Sequence, residues 1–515
     1  MKLAIVSTWS TIGITAKKVL VETHISNGLP AFSMVGLPET AVKESKERVR
    51  SAIINSYFEF PDRRITVNLS PAALPKSGTG FDLAIAISIL LASGQIGNQQ
   101  HLSISSDGIK SLDTLEIIGE LALTGEIRPL PFVLPSIIAS EKCQHTLIIP
   151  KDNAKEAALT HPKQVVCANH LLEVCHFLNR THTLPPVEQK SIGAQPISYD
   201  IDWSDVKAQQ LSKRALEVAA SGNHHCLLFG PPGSGKTMLA QRMITILPPL
   251  TNQQAVESLL LHALSPEKSQ RHHSLHYHPP FRSPHHSCSE LGLIGGGTPI
   301  KPGEISLAHH GVLFLDEFPE FKTKTIESLR EPLESGEIFI SRAANSTCFP
   351  CRFQLIAAMN PCPCGNLNHP KQLCYCDARQ IKAYQAKLSG PLIDRIDLFI
   401  DVAPVPIQAL QQSTQHSEDS SSIRKRVELV RARQYQRQQK LNAQLQSQEL
   451  DLYCNLSQES HTIAQQAIEK LFLSARSYYR ILKVARTIAD MDQSKDIQAM
   501  HLKEALSYRN KLPKH

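Results

Sequence analysis

Lys236 and Thr237 close the run Gly230-Pro231-Pro232-Gly233-Ser234-Gly235-Lys236-Thr237, a complete G-x-x-x-x-G-K-T phosphate loop. Its glycines let successive backbone N–H groups curl around phosphate oxygens, and the N-terminus of a following helix adds partial positive charge. Lys236 is placed to reach the β- and γ-phosphates of ATP, and Thr237 to hold Mg²⁺ through its hydroxyl. A bare glycine-rich turn before an ordinary helix is the alternative, and the flanking residues argue against it. His225-Cys-Leu-Leu-Phe229 ahead reads as a buried strand, and Met238-Leu-Ala-Gln-Arg-Met-Ile behind reads as a helix. Further on, Val312-Leu-Phe-Leu-Asp316-Glu317 reads as a second buried strand ending in two carboxylates. Open α/β sheets bind ligands at the C-terminal ends of their strands. Asp316 would complete the Mg²⁺ shell, and Glu317 would polarise the water that attacks the γ-phosphate. A third strand, Phe353 to Met359, ends in Asn360. Its amide can position that water or contact the γ-phosphate, or it can simply open a turn with Pro361. The three elements predict an α/β, ATP-hydrolysing domain built on several parallel strands.

Thiols form the second chemical cluster. Cys362-Pro-Cys364-Gly and Cys374-Tyr-Cys376 make a C-x-C…C-x-C array separated by nine residues. Four thiolates at this spacing can close a tetrahedron around Zn²⁺. A polar loop of this length cannot build a core, so the metal would supply its order. Buried thiols without metal and an iron–sulfur cluster are the alternatives. Cys348 and Cys351 form another C-x-x-C, but they fall where a strand should begin and read as buried small apolar residues. The histidines between His262 and His286 lack a ligand period and read as solvated loop residues.

These sites must be positioned by a chain of 515 residues, long enough for roughly three or four domains of about 150 residues each. Hydrophobic content of 42% and charged content of 20% are ordinary for a globular protein. No apolar run reaches the ~18 residues of a membrane span. The longest, Leu83 to Ala92, has the length of a core helix. The N-terminal apolar stretch is broken by Ser7, Thr8 and Ser10 and does not read as a secretory signal. The expected compartment is the cytoplasm, and twelve cysteines there point to metal or buried thiols, not disulfides.

Composition divides the chain into residues 1–180, a Pro/Ser/Gln-rich linker over 181–204, the ATPase core over 205–405 and a helical region over 423–512. Gln411 to Ser422 is polar and serine-rich and reads as another linker. Net charge is +7, which permits a polyanionic partner without demanding one. Between Ile423 and Lys440 seven Lys/Arg face one acid, Glu428. Ile423, Val427, Val430 and Gln434 share one helix face, so this is an amphipathic basic helix. Its charges suit either DNA or plain solvent.

Longer motifs carry a family resemblance. Pro284-His-His-Ser, Gly295-Gly-Gly and Pro302-Gly-Glu-Ile-Ser-Leu-Ala-His-His-Gly-Val-Leu-Phe-Leu-Asp-Glu-Phe are similar to the ComM/YifB family of magnesium-chelatase-like AAA+ ATPases. So are Leu329-Arg-Glu-Pro-Leu-Glu, Ala358-Met-Asn-Pro-Cys-Pro-Cys-Gly, Gly390-Pro-Leu-Ile-Asp-Arg-Ile-Asp-Leu and, near the start, Phe32-Ser-Met-Val-Gly-Leu-Pro. The resemblance covers essentially the whole chain. It implies an AAA+ P-loop core with a parallel sheet and a C-terminal helical lid. Arg395 matches the arginine finger of this branch. Arg476 looks like the sensor-2 arginine, with Arg480 one turn on as the alternative. An always-charged guanidinium fork suits both roles; without the resemblance each would read as a surface ion pair. A finger supplied in trans implies a homo-hexameric ring. Residues 281–303 would be the helix-2 insert, and Ile338 to Arg352 would carry the pre-sensor hairpin. In related ring motors such insertions touch DNA, which makes Arg342 and Lys301 candidate contacts.

The first 180 residues resemble the Lon-protease/ribosomal-S5-like α+β domain. Pro75-Lys-Ser-Gly-Thr-Gly80-Phe-Asp-Leu is similar to the Lon nucleophile segment, and Gly119-Glu-Leu-Ala-Leu-Thr-Gly-Glu-Ile-Arg-Pro-Leu-Pro to the segment leading to its lysine. Gly80 falls at the serine position and Leu134 at the lysine position, and Ser77 stands three residues off register. A Ser–Lys dyad needs both groups, so the domain reads as a non-proteolytic scaffold. The reading as a whole is a hexameric ATP-driven motor on single-stranded or branched DNA, with recombination proteins as possible partners. It would promote integration of incoming DNA by homologous recombination during natural transformation. A chelatase-type motor acting on a protein or a porphyrin-metallation complex is the alternative.

Overall fold

The computed structural model describes residues 2–74, 76, 78–97, 103–104, 110–160, 162–188, 199–265, 276–298, 300–341, 346–367, 372–405 and 418–509. The chain divides into two compact units, Met1–Gln195 with Leu259–Leu275, and Pro196–Ser258 with His276–His515.

The first unit is a mixed sheet packed on helices. Its strands run in the order Val165–Ala168, Thr146–Pro150, Lys110–Ile117, Lys2–Ile12, Thr15–Ser26, Arg64–Ser70, Ala31–Val35. Lys2–Ile12 and Thr15–Ser26 form one long antiparallel hairpin. In the sequence Ser7, Thr8 and Ser10 break the apolar run. In the fold these three residues are buried within a single strand of 11 residues. Thr23 on the second strand hydrogen-bonds Ser88 (2.6 Å), which fixes the helix Asp82–Ser93 against the sheet. That helix carries the Leu83–Ala92 run and is buried all round, as its uniform apolarity predicts. The stretch read as a linker begins by extending this unit. The Pro185 carbonyl accepts from Cys167 N–H, and Val187 N–H donates to Val165.

The second unit holds a five-stranded sheet, all parallel, in the order Phe281–Arg282, Val312–Leu315, Gln354–Met359, Cys226–Phe229, Leu398–Asp401. Four-residue apolar runs are buried on both faces, as parallel strands under helices must be. The phosphate loop, the Asp316-Glu317 pair and Asn360 all follow the C-terminal ends of central strands. The C-terminal helices, among them Ser420–Gln438 and Ala475–Met491, share one hydrophobic core with this sheet.

Helix Ser420–Gln438 buries Ile423, Val427, Val430 and Gln434, the face its period predicts. Its arginines are engaged by groups of the same unit, although Arg426 stays 43% exposed. Arg424 donates to the Thr245 carbonyl (2.9 Å) and Arg431 to that of Ala220 (2.9 Å). These carbonyls lie in the last turns of helices Lys236–Ile246 and Gln210–Gly222, where backbone acceptors lack intrahelical partners and carry negative partial charge. Arg426 pairs with Glu217 (2.8 Å) and Arg437 with Asp490 (2.6 Å). The basic helix stitches the unit together, and its Lys425 is left exposed.

Asp490 is 3% exposed and also accepts from Arg486 (3.1 Å) and Asn442 (2.9 Å). Asp490→Ala removes the carboxylate shared by Arg437 and the buried Arg486 and should cost about 3–5 kcal/mol, the usual penalty for breaking a buried pair. Lys425→Ala should stay within about 0.5 kcal/mol of wild type. Denaturant unfolding of the two variants checks both.

Candidate functional site

Gly235 takes φ = 91°, a left-handed conformation that a side chain would strain, and hands the chain into helix Lys236–Ile246. Gln209 Nε2 ties the loop down through the Ser234 carbonyl (3.3 Å). Lys236 is 8% exposed. Its ammonium donates to the carbonyls of Gly230 (2.7 Å) and Pro231 (2.9 Å) and to Asn360 Oδ1 (3.1 Å). Burial pulls its pKa below the usual lysine value, and Asp316 opposes that shift. Ser234 Oγ is buried with no partner among the described residues. A loop holding a tethered cation and an unsatisfied hydroxyl fits a triphosphate.

Thr237 Oγ1 donates to Asp316 Oδ2 (2.7 Å), so the two residues expected to hold Mg²⁺ meet. Glu317 adopts φ = 50°. Its carboxylate lies 3.1 Å from His286 Nδ1. His286 is a partly exposed turn residue, as the sequence suggests, but residues 281–303 bring it to the strand end and give it this carboxylate partner. Arg282 and Glu304 pair in bidentate fashion (2.6 and 2.8 Å) and brace the insert. Sequence reasoning also passed over His309 and His310. Both bond Glu257 Oε2 (3.3 and 2.6 Å), which holds that carboxyl well below the usual range. His309 Nδ1 accepts from Arg352 N–H (2.9 Å), so its Nε2 carries the proton and serves structure, not metal. The adjacent pair of histidines just ahead of a buried strand was the available signal.

The arginines are placed differently from one another. Arg395 pairs with Glu334 of the same chain, donates to the Pro391 carbonyl (2.5 Å) and leaves Nε buried without a partner. Arg480 donates to the Ile396 carbonyl (2.6 Å) and to Asp394 (3.0 Å), so it fastens the loop that carries Arg395. Arg476, in the first turn of helix Ala475–Met491, is exposed and has no ion-pair partner among the described residues. Arg330 pairs with Glu327 (3.0 Å). The hairpin Glu337–Ser341/Ser346–Pro350 forms in the region expected to carry one, and Lys301 is exposed on a short hairpin of the insert. Arg342 lies outside the described residues.

The four cysteines converge. Cys362 Sγ lies 3.4 Å from Cys364 and 3.7 Å from Cys374, and Cys364 lies 3.6 Å from Cys374. All four sulfurs, that of Cys376 included, lie within 4.8 Å of one another. Zn–S bonds of about 2.3 Å in a tetrahedron require sulfurs about 3.8 Å apart. The donor set therefore fits Zn²⁺, and the distances exclude disulfides. Backbone N–H groups of Asn366 and Tyr375 favour the Cys364 thiolate and bring its pKa to about 6. Cys351 is buried as expected, but Cys348 is not. Cross-strand pairing sets its sulfur against the Glu337 carboxylate (3.5 Å).

In the first unit no dyad forms at the expected register. Gly80 faces Leu130, and Leu134 is fully buried. The nearby Lys76 amine is committed to the carbonyls of Gly36 (2.8 Å) and Pro71. Ser77 lies outside the described residues.

A phosphate loop, an acidic strand end and an adjacent polar strand end on a parallel sheet define a P-loop ATPase. The family model described as "Magnesium chelatase, subunit ChlI" matches residues 202–410. "Subunit ChlI of Mg-chelatase" matches 21–153, and "Magnesium chelatase, subunit ChlI C-terminal" matches 417–509. The Escherichia coli protein "Uncharacterized protein YifB" is 45% identical over 99% of this chain and 97% of its own. "Competence protein ComM" of Haemophilus influenzae is 45% identical over 99% and 98%. "Zygotic DNA replication licensing factor mcm6" of Xenopus tropicalis is 26% identical over 41% of this chain and 26% of its own. The chain belongs to the ComM/YifB family of magnesium-chelatase-like AAA+ ATPases, whose chemistry uses a nucleotide and Mg²⁺.

Freshly purified protein prepared without chelator should carry about one Zn²⁺ per chain, and Cys→Ser at 362, 364, 374 or 376 should release it. Elemental analysis checks this; metal-free wild type would remove the assignment.

Proposed function

We propose that this chain is the subunit of a homo-hexameric, ATP-driven DNA motor. It binds single-stranded or branched DNA in the cytoplasm and moves branch points, promoting integration of incoming DNA by homologous recombination during natural transformation. The observation that carries the reading is 45% identity along the full chain to a protein named for competence. The more distant likeness to a DNA replication licensing factor supports DNA as the partner.

In this reading bound ATP and Mg²⁺ supply the scissile phosphoanhydride and the charge that neutralises its oxygens. Lys236 would turn its ammonium from the loop carbonyls to the phosphates, and Thr237 and Asp316 are the residues that would hold the metal. Glu317 would leave His286 and accept a proton from the water that Asn360 orients, as that water's oxygen bonds the γ-phosphorus, the β–γ phosphoanhydride breaks and ADP leaves. Arg395 leaves Glu334 and serves a neighbouring subunit as the finger. Arg476 acts as sensor 2 in the helical lid, since Arg480 is engaged elsewhere. The Lon/S5-like first unit is a non-proteolytic scaffold, and the cysteine site is structural zinc. With the basic helix occupied internally, DNA contact falls to the insert and the hairpin.

The chelatase-type motor remains the second reading, favoured by the names of the matched families. The match over residues 21–153 also means that the first unit by itself does not separate the two readings. DNA dependence of the ATPase does.

Lys236→Ala should abolish nucleotide binding or hydrolysis. Glu317→Gln should bind ATP and stall. Arg395→Ala should keep ATP binding and lose about 10³–10⁵ in kcat; full turnover would pass the finger role to Arg330. Branched DNA should stimulate the ATPase, with affinity falling steeply as salt rises, because phosphate contacts release counterions. Neutralising Lys301 and Arg342 should weaken that stimulation. Salt-independent binding, or no stimulation by a synthetic four-way junction, would favour the chelatase-type reading.

A further inference from the structure

The cysteine cluster and the phosphate loop touch in two places. The first link is a hydrogen bond continued along the chain. Asn360 accepts from the Lys236 ammonium (3.1 Å), and Cys362 follows after Pro361, whose carbonyl accepts from Gln385 (3.1 Å). The second is a packing contact. Gly365 adopts φ = 82°, and a Cβ there would fall 2.6 Å from Pro232 Cδ and 3.1 Å from its Cγ. The backbone beside Cys364 therefore lies directly on a proline of the phosphate loop. Pro232 neighbours Pro231, whose carbonyl helps hold Lys236.

Gly365 is buried at this contact, but apolar burial does little to hold the second cysteine pair. Leu373 and Tyr375, the large apolar residues beside the second cysteine pair, are 78% and 84% exposed. The hydrogen bonds from Gly365 N–H to the Cys362 carbonyl (3.0 Å) and from Leu367 N–H to Cys362 Sγ (3.3 Å) stay inside the loop. The four sulfurs meet beside this contact, so a metal on them would tie both cysteine pairs to the backbone that packs on Pro232 and to the chain just after Asn360.

We propose that metal occupancy of the four-cysteine site and nucleotide occupancy of the phosphate loop are thermodynamically coupled, with Gly365 and Pro232 as the positioning contact between them. The inference rests on the reading of the cysteines as a zinc site. Coupling is reciprocal: metal tightens nucleotide binding, and nucleotide tightens metal binding by the same equilibrium factor.

The test uses the full chain as purified. Its metal content is measured, and its affinity for a fluorescent ATP analogue is followed through chelation and Zn²⁺ re-addition. Zinc release to a metallochromic chelator is timed with and without ATPγS. Depletion should weaken nucleotide binding by about 5- to 150-fold, the usual range of coupling between sites, and re-addition should restore it. ATPγS should slow zinc release. Gly365→Ala leaves all four sulfurs in place. It should keep its zinc, bind nucleotide more weakly and lose the effect of ATPγS on release. Unchanged affinity after depletion of zinc-containing, folded protein overturns the coupling alone. So does a Gly365→Ala variant that keeps both zinc and the full ATPγS effect. Protein purified without any metal removes the zinc reading, and the coupling with it.

Discussion

A lysine ammonium buried at the end of a parallel sheet is the constraint on which the second unit turns. Such a group must find acceptors, because leaving it unpaired would cost several kcal/mol. Lys236 finds them in the carbonyls of Gly230 and Pro231 and in Asn360 Oδ1. The Asn360 contact requires strand Gln354–Met359 to lie beside strand Cys226–Phe229 with Phe229 opposite Met359. Adding strand Val312–Leu315 on the other side, with Leu315 opposite Ala357, brings Asp316 to Thr237. A slip of one residue in either pairing would separate these groups and turn every side chain to the other face.

The charged residues of this unit fall into two populations. Most arginines of helix Ser420–Gln438 complete the open ends of neighbouring helices or pair with buried carboxylates. Those contacts fix the C-terminal helices to the sheet and remove positive charge from the surface available to a polyanion. Others sit in bonds that a ligand or a neighbouring chain could replace. Glu317 on His286 and Arg395 on Glu334 are both held by partners outside the phosphate loop.

The chain by itself determined the features that short-range chemistry controls. Strand, glycine loop and helix are adjacent in sequence around Gly230–Thr237, so their meaning does not depend on distant residues. The apolar run Leu83–Ala92 and the face Ile423–Val427–Val430–Gln434 follow from helical period alone, and both are buried as their period requires. The spacing of Cys362, Cys364, Cys374 and Cys376 likewise limits the four sulfurs to one small loop.

Only the tertiary structure decided which groups pair across long separations. His286 reads as a loop histidine until the insert brings it to Glu317. Arg424 and Arg431 read as a surface stripe until two helix ends arrive beneath them. Ser7, Thr8 and Ser10 break an apolar pattern in the sequence yet lie buried in one continuous strand, because sheet neighbours cover them. Gly365 carries no signal except its conformational freedom, and its contact with Pro232 exists because the sheet sets two loops side by side. In each case the residue type allows several partners, and the backbone path between distant segments selects one.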